Sequence, residues 1–461
     1  MSYVPNTDQD REQMLSSLGL SSVEQLFDSI PKPFRYPALS LPPPLTELEA
    51  LQSFRELASR NQNPPLSFVG GGAYRHFIPS VVPYLSSRGE FATSYTPYQA
   101  EVSQGTLQAI YEYQSMVADL LGMDVVNASH YDGATALAEA VIMSMRASRD
   151  SRKKIILSAA IHPLYREVIR TYLQGMTGVT TLFTGDIPNP HDGALSAAEL
   201  AELVDEDTAS LVVAWPDFFG RMLDLTGLAE KVHEKGALLI VHTNPIALGI
   251  YRSPGSFGAD IVTAEGQPLG IPLSFGGPYL GIFACREALV RRMPGRLVGE
   301  TVDRDGRRGY VLTLSTREQH IRREKATSNI CTNQGLMALR AAIYLTAVGK
   351  QGLRAVSDIC ARRADYAAKI IAGIPGYSVA ETSPAPARFH EFVVRTPEPA
   401  ADIVERLAKE GIVPGIDLGR FYKDLDHALL VCVTEMQTAA DIDRLGSALA
   451  NGASRRQGGN R

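Results

Sequence analysis

Between residues 125 and 284 the chain alternates short, β-rich apolar runs with stretches of helical length. The runs lie at 125–128, 155–157, 180–183, 211–215, 238–241, 261–263 and 280–284. Unbroken Val/Ile/Leu runs separated by helix-length segments are the mark of strands buried on both faces, which predicts a mostly parallel sheet flanked by helices. Ahead of it, 104–121 places Leu107, Ile110, Tyr111, Val117 and Leu121 at three-four spacing, a helix with one face for a core or a partner. The first 65 residues hold only short helical patterns, at 13–18 and 45–59, between the proline-rich turns 31–33 and 41–44. They read as an arm. After Ala341 the pattern runs helix, strand at 389–394, helix at 403–409, strand at 428–433 and helix at 439–449, a smaller α+β unit. The expected divisions are an N-terminal arm at 1–65, a large α/β domain at 66–345, a small C-terminal domain at 346–450 and a disordered tail at 451–461, where nothing offers apolar surface to bury.

A chain of 461 residues exceeds what one core supports, so more than one domain is required. Hydrophobic residues at 45 % and charged residues at 21 % match ordinary folded proteins. A net charge of -5 with both signs scattered gives no basic field for a phosphate backbone, which excludes nucleic acid as a partner. The polar, acidic start lacks the apolar core of a signal peptide, and no run approaches the roughly 18 apolar residues of a membrane span. A cytoplasmic location is expected. Cys285, Cys331, Cys360 and Cys432 stand far apart, without zinc or redox spacing, and are read as free thiols. His76, His130, His162, His233 and His320 likewise stand singly, so no metal site is expected.

An arm, a parallel α/β domain and a small C-terminal domain together match fold-type I pyridoxal-phosphate enzymes, although architecture alone does not fix function. Such enzymes need a lysine amine to hold the cofactor covalently. No lysine occurs between Lys235 and Lys325, and the arginines there stay protonated and cannot serve as the nucleophile.

The segment Glu265-Gly266-Gln267-Pro268-Leu269-Gly270-Ile271-Pro272, continued by Ser274-Phe275-Gly276-Gly277-Pro278, resembles the first subunit of bacterial two-chain glycine decarboxylases, the P proteins of the glycine cleavage system. Further stretches in family order are Gly70-Gly71-Gly72-Ala73-Tyr74, Tyr95-Thr96-Pro97-Tyr98-Gln99-Ala100-Glu101, Tyr131-Asp132-Gly133-Ala134-Thr135, Thr327-Ser328-Asn329-Ile330-Cys331-Thr332 and Gly415-Ile416-Asp417. The resemblance sets Gln267 where the partner subunit carries its Schiff-base lysine. It sets His242 where the partner carries the carboxylate that pairs with the pyridine nitrogen. It implies a fold-type I, transferase-like α/β fold and an α2β2 assembly with a second (beta) subunit. Pyridoxal phosphate would be bound covalently by that partner and not by this chain. The implied reaction decarboxylates glycine and passes the aminomethyl group to the lipoyl arm of H protein. A scaffold or regulatory subunit of the same fold, contributing no site residue, is the rival reading.

In the family the loop with Tyr95, Tyr98 and Glu101 approaches the partner's active site, so these three are candidates to help bind glycine or the lipoyl arm. A packed interface with satisfied hydroxyls explains them equally well. Asp132-Gly133 opens a helix where free N–H groups suit a phosphate, but Asp132 is a good N-cap whose charge repels one, so a relic kept for structure is expected. Gly70-Gly71-Gly72 lacks dinucleotide spacing and is read as a tight backbone crossing. Arg317, Arg322, Arg323 and Lys325 precede Thr327, Ser328 and Asn329, which are weaker candidates for reaching the partner's cofactor; a solvated helix face is the simpler account of the charges.

Overall fold

The computed structural model describes residues 6–36, 39–61, 64–184, 195–379 and 388–458. Its contacts divide the chain into two units, Met1–Asn63 and Pro64–Arg461. The first holds the helices Asp8–Ser17 and Glu47–Ser59, each opened by a capping box, Thr7 with Asp10 and Thr46 with Glu49. Neither helix buries a residue.

The second unit is built on a seven-stranded sheet of β1 (Val125–Val126), β2 (Lys154–Ser158), β3 (Thr180–Thr184), β4 (Thr208–Trp215), β5 (Leu238–Thr243), β6 (Ile261–Glu265) and β7 (Gly281–Cys285), in the order β1-β7-β6-β5-β4-β2-β3. The pairings from β6 through β3 are parallel, whereas β7 runs antiparallel to both β6 and β1. Successive side chains of a strand point to opposite faces. Val212, Ile240, Ile261 and Phe283 accordingly enter one core with Ala136 and Val141 of helix α2 (Gly133–Ala147). Their neighbours Val213, Val241, Val262 and Ile282 enter the other core, with Val117 of α1 (Gln104–Leu121) and Ala341 of α3 (Gly335–Ala372). Apolar demand on both faces is what produced the uninterrupted runs in the sequence. Helix α3 is broken at Gly349, whose φ of 59° and ψ of -177° leave the helical region.

A hairpin, β8 (Leu297–Val302) with β9 (Arg308–Thr313), packs against α1. Its alternation was too weak to be anticipated. A second sheet of β10 (Ser378–Val379), β11 (Glu391–Arg395), β12 (Ile416–Asp417) and β13 (Ala428–Cys432) is antiparallel, in the order β10-β11-β13-β12. It shares a core with the end of α3 and with the final helix.

Two expectations need correction. The final helix runs from Ala439 to Gly458, through most of the stretch expected to be disordered. Residues 315–325 form single turns rather than one solvated helix, and Arg317 is drawn inward by the carbonyls of Met293, Leu314 and Gly295. A short strand, Leu66–Ser67, lies just before the triple glycine and pairs in parallel with the distant Ile412–Val413, so it forms no βαβ unit there. Among the described residues no helix is long and apolar enough to cross a membrane.

Candidate functional site

In a parallel sheet, ligands gather at the carboxyl ends of the strands. Here those ends bring together Asp217 and Phe218 beyond β4, His242 and Asn244 at β5, Glu265 at β6, and His162 and Tyr165 beyond β2. With Gly72, Tyr74, His390 and Glu391 they line a cavity of about 60 Å³.

Gln267 stands just past β6 and is 2 % exposed. Its amide oxygen accepts from Tyr74 N at 2.8 Å, and its amide nitrogen donates to Tyr74 O at 2.9 Å and to Ile271 O at 2.8 Å. The side chain thus pairs with both polar groups of one residue's backbone. A lysine, with donors only, could not reproduce this.

Glu265 is buried and fully engaged. Its Oε2 accepts from Gly133 N at 2.9 Å, and its Oε1 accepts from Gln267 N at 2.9 Å and Leu280 N at 3.2 Å. Burial pushes this carboxyl up to about 8 against the pull of those three amides. Glu391, reached by Gly71 N at 2.6 Å and the Tyr74 hydroxyl at 2.7 Å, is pushed up to about 7 by burial. His242 Nδ1 lies 2.9 Å from the Thr263 hydroxyl, and burial, then the neighbouring His162, holds the ring down at about 3. His162 accepts from Leu164 N through Nδ1 at 3.1 Å, so the proton on Nε2 faces Gly71 O at 2.8 Å. Burial lowers this ring to about 4. Both histidines are neutral at physiological pH.

Asp132 caps α2 as expected, its Oδ1 accepting from Thr135 N at 2.7 Å. The triple glycine is also a close crossing: a Cβ at Gly70 would stand 2.4 Å from Glu391 Oε1 and 2.7 Å from Cys432 Cβ.

Other sequence candidates lie elsewhere. Tyr95, 86 % exposed, borders a second pocket of about 280 Å³ together with Phe91, Pro97, Pro278, Asn333 and Leu336. Tyr98 and Glu101 do not line it. Tyr98, 53 % exposed, receives a hydrogen bond from Arg296 at 3.2 Å, and the guanidinium sits 5.5 Å from its ring centre. Arg296 also donates to Cys331 O at 2.6 Å, tying the Tyr98 loop to the segment that follows Thr327, Ser328 and Asn329. Ser328 donates to Glu139 at 2.6 Å, Thr327 is half-buried and Asn329 is exposed, while Glu101 also faces solvent.

Sequence reasoning missed Tyr74, Glu265, Glu391 and His390. The available signal was Glu265, a carboxylate ending a mostly apolar run. Some histidines read as single have partners far along the chain. His76 Nδ1 lies 2.7 Å from Glu435 Oε2, to which the Cys360 thiol donates at 3.3 Å, and His233 Nε2 lies 2.8 Å from Asp260.

The model of the glycine cleavage system P-protein family matches residues 1–449. The chain is 49 % identical over 451 residues to the probable glycine dehydrogenase (decarboxylating) subunit 1 of Thermomicrobium roseum, spanning 97 % of this chain and 99 % of that one. The protein of the same name from Desulfitobacterium hafniense is 50 % identical over 448 residues, 96 % and 98 % of the two chains. A solved glycine decarboxylase (P-protein) of the glycine cleavage system, in inhibitor-bound form, superposes with a TM-score of 0.89 at 40 % identity over 98 % of this chain and 100 % of that one. A sphingosine-1-phosphate lyase from Burkholderia pseudomallei, 16 % identical, shares the fold at a TM-score of 0.64, covering 92 % and 94 % of the chains. The architecture is that of fold-type I enzymes. With a family match over nearly its whole length, the chain belongs to the glycine cleavage system P-protein family.

Proposed function

We propose that this chain is the lysine-less subunit of a two-chain glycine dehydrogenase (decarboxylating), active only with a lysine-bearing partner in an α2β2 assembly. The observation that carries the reading is Gln267, whose amide is consumed by the backbone of Tyr74 and Ile271 at the position the resemblance gives to the cofactor lysine. Pyridoxal phosphate does not fit this chain's own site. A cavity of about 60 Å³ holds about four waters at roughly 15 Å³ of probe volume each, far less than a substituted pyridine with its phosphate. No nucleophilic amine lines it, and the neutral His242 supplies no carboxylate for a pyridinium.

The cofactor therefore belongs to the partner, as does the decarboxylation of glycine and the transfer of the aminomethyl group to lipoylated H protein. What this chain offers is the exposed side of the same sheet edge. Tyr95 and Tyr98 present large rings to solvent, with Glu101 nearby in the loop, and Arg296 ties Tyr98 to the carbonyl of Cys331, just beyond Asn329. In this reading Tyr95, Tyr98 and Glu101 complete the partner's site, and Thr327, Ser328 and Asn329 are the weaker candidates to reach its cofactor.

The test is glycine-dependent exchange of bicarbonate carbon, with H protein present, for this chain, for the partner and for the mixture. Activity in the mixture alone is expected, and turnover by this chain alone would overturn the reading. Tyr95→Phe, Tyr98→Phe and Glu101→Gln in the intact complex separate a site contribution from scaffolding. Lowered exchange with assembly unchanged supports the site. Full exchange in all three supports the scaffold.

A further inference from the structure

A helix N-terminus leaves backbone N–H groups without intrahelical partners, and an anion settles there readily. At α2 that place is taken from within the chain. Glu265 accepts from Gly133 N, the first residue of the helix, while its other oxygen accepts from Gln267 N and Leu280 N. One carboxyl thus joins the start of α2 to both ends of the loop between β6 and β7. Gly266 N donating to Leu280 O at 2.7 Å closes the same base.

The loop so closed is unusual in two respects. Phe275 at its tip is 97 % exposed. Ser274, Phe275, Gly276 and Gly277 all have positive φ, at 46°, 54°, 109° and 132°. Two consecutive non-glycine residues in that region persist only where the surroundings hold them. The tip itself is open, and a Cβ added at Gly276 would meet nothing within 4 Å, so the restraint comes from the base. The loop returns through Pro278, which lines the pocket bordered by Tyr95. It therefore lies beside the loop already assigned to the partner's side.

We propose that Glu265 is the resident occupant of the anion cradle at α2 and the clasp that holds the 266–280 loop in the form on which the lysine-bearing subunit docks. The docking half rests on the two-chain reading above; the clasp does not. Within this chain the carboxyl does the tethering that a bound phosphate would otherwise do. The cradle takes no free anion while the carboxyl is there.

The experiment is amide hydrogen exchange of the full-length chain, followed in peptides covering Gly133 and the 266–280 loop, for the wild type, Glu265→Ser and Glu265→Gln. Each is measured with and without inorganic phosphate or acetate, and far-UV circular dichroism reports the fold. Loss of a hydrogen bond to a carboxyl should speed exchange in both peptides of Glu265→Ser by about tenfold or more. Phosphate or acetate should restore protection in that variant and leave the wild type unchanged. Glu265→Gln keeps an oxygen for Gln267 N and Leu280 N but turns an amino group toward Gly133 N. Its α2 peptide should loosen while the loop stays protected, and this variant carries the test if the serine variant does not fold. Wild-type exchange in folded Glu265→Ser, or loosening that neither anion reverses, overturns the clasp. Affinity for the partner subunit should fall about tenfold in Glu265→Ser, and a loosened loop with unchanged affinity overturns the docking half. A wild-type chain that binds no lysine-bearing partner would instead sink the two-chain reading.

Discussion

Restoring the missing amine should fail, and how it fails can be worked out from the site. In Gln267→Lys the ammonium can still donate to Tyr74 O and Ile271 O, but it has no acceptor for Tyr74 N–H, which now reaches the glutamine oxygen at 2.8 Å. A buried donor left unmatched costs about 1–3 kcal/mol. The new charge also enters a position that is 2 % exposed, where desolvation drives a lysine toward its neutral form at a further cost of about 1–3 kcal/mol. Glu265 and Glu391 nearby offset part of this, so a net loss of about 2–4 kcal/mol is expected. Cofactor capture should not follow, because the cavity stays near 60 Å³ and His242 remains in place. The assay is urea unfolding of the purified chain. It is paired with incubation in pyridoxal phosphate, borohydride reduction and peptide mapping for label at position 267. A variant as stable as the wild type that carries one equivalent of reduced cofactor on residue 267 would refute both the packing argument and the size argument.

Other outcomes follow from the same geometry. Glu265, Glu391 and Glu139 are pushed up by burial, to about 8, 7 and 7. The folded chain therefore holds more protons than the unfolded one from about pH 4.5 up to those values, and stability should fall as pH rises through that window. His162 and His242, held at about 4 and 3, together with His130 at about 3 and His390, which burial also holds well down, act in the opposite sense and should withdraw stability as pH falls below about 6.5. Above about pH 6.5 the histidines are neutral in both states and only the carboxyls remain, so urea midpoints between pH 6.5 and 8 should decline, with a shallower slope in Glu391→Gln; a midpoint that climbs across this range contradicts the assignment. Arg296→Ala removes the donor that reaches both Tyr98 and Cys331 O, so bicarbonate exchange by the complex should drop several-fold at unchanged subunit stoichiometry. Asp132→Ala deletes the cap of α2 and should cost about 1 kcal/mol in unfolding free energy without altering assembly.

The main sheet was legible because its demands are local. Strands covered on both faces, such as β4 with Val212 and Val213 entering opposite cores, write themselves as unbroken apolar runs. The hairpin β8–β9 was not legible, since half of β8 is exposed and its alternation is shallow. At the site, the missing lysine could be read directly because it is a property of composition. Gln267 at that position came from the resemblance, but what holds it could not be read, because Tyr74 and Gln267 meet across 193 positions and Glu391 reaches Tyr74 across 317. The pairing of His76 with Glu435 spans 359 positions, which is why an isolated histidine in the sequence proved to have a carboxylate beside it.

The pairing of the Gln267 amide with the backbone of Tyr74 bears on the order in which the enzyme is made. A pocket shaped around a bound cofactor leaves polar groups unmatched until that cofactor arrives, and the apo chain is penalised accordingly. Here Gln267, Glu265 and Glu391 already match the backbone around the pocket. On the two-chain reading proposed above, the chain's maturation is uncoupled from cofactor supply. Under that reading this chain completes its folding even when pyridoxal phosphate is scarce, and the partner is the step that waits for the vitamin.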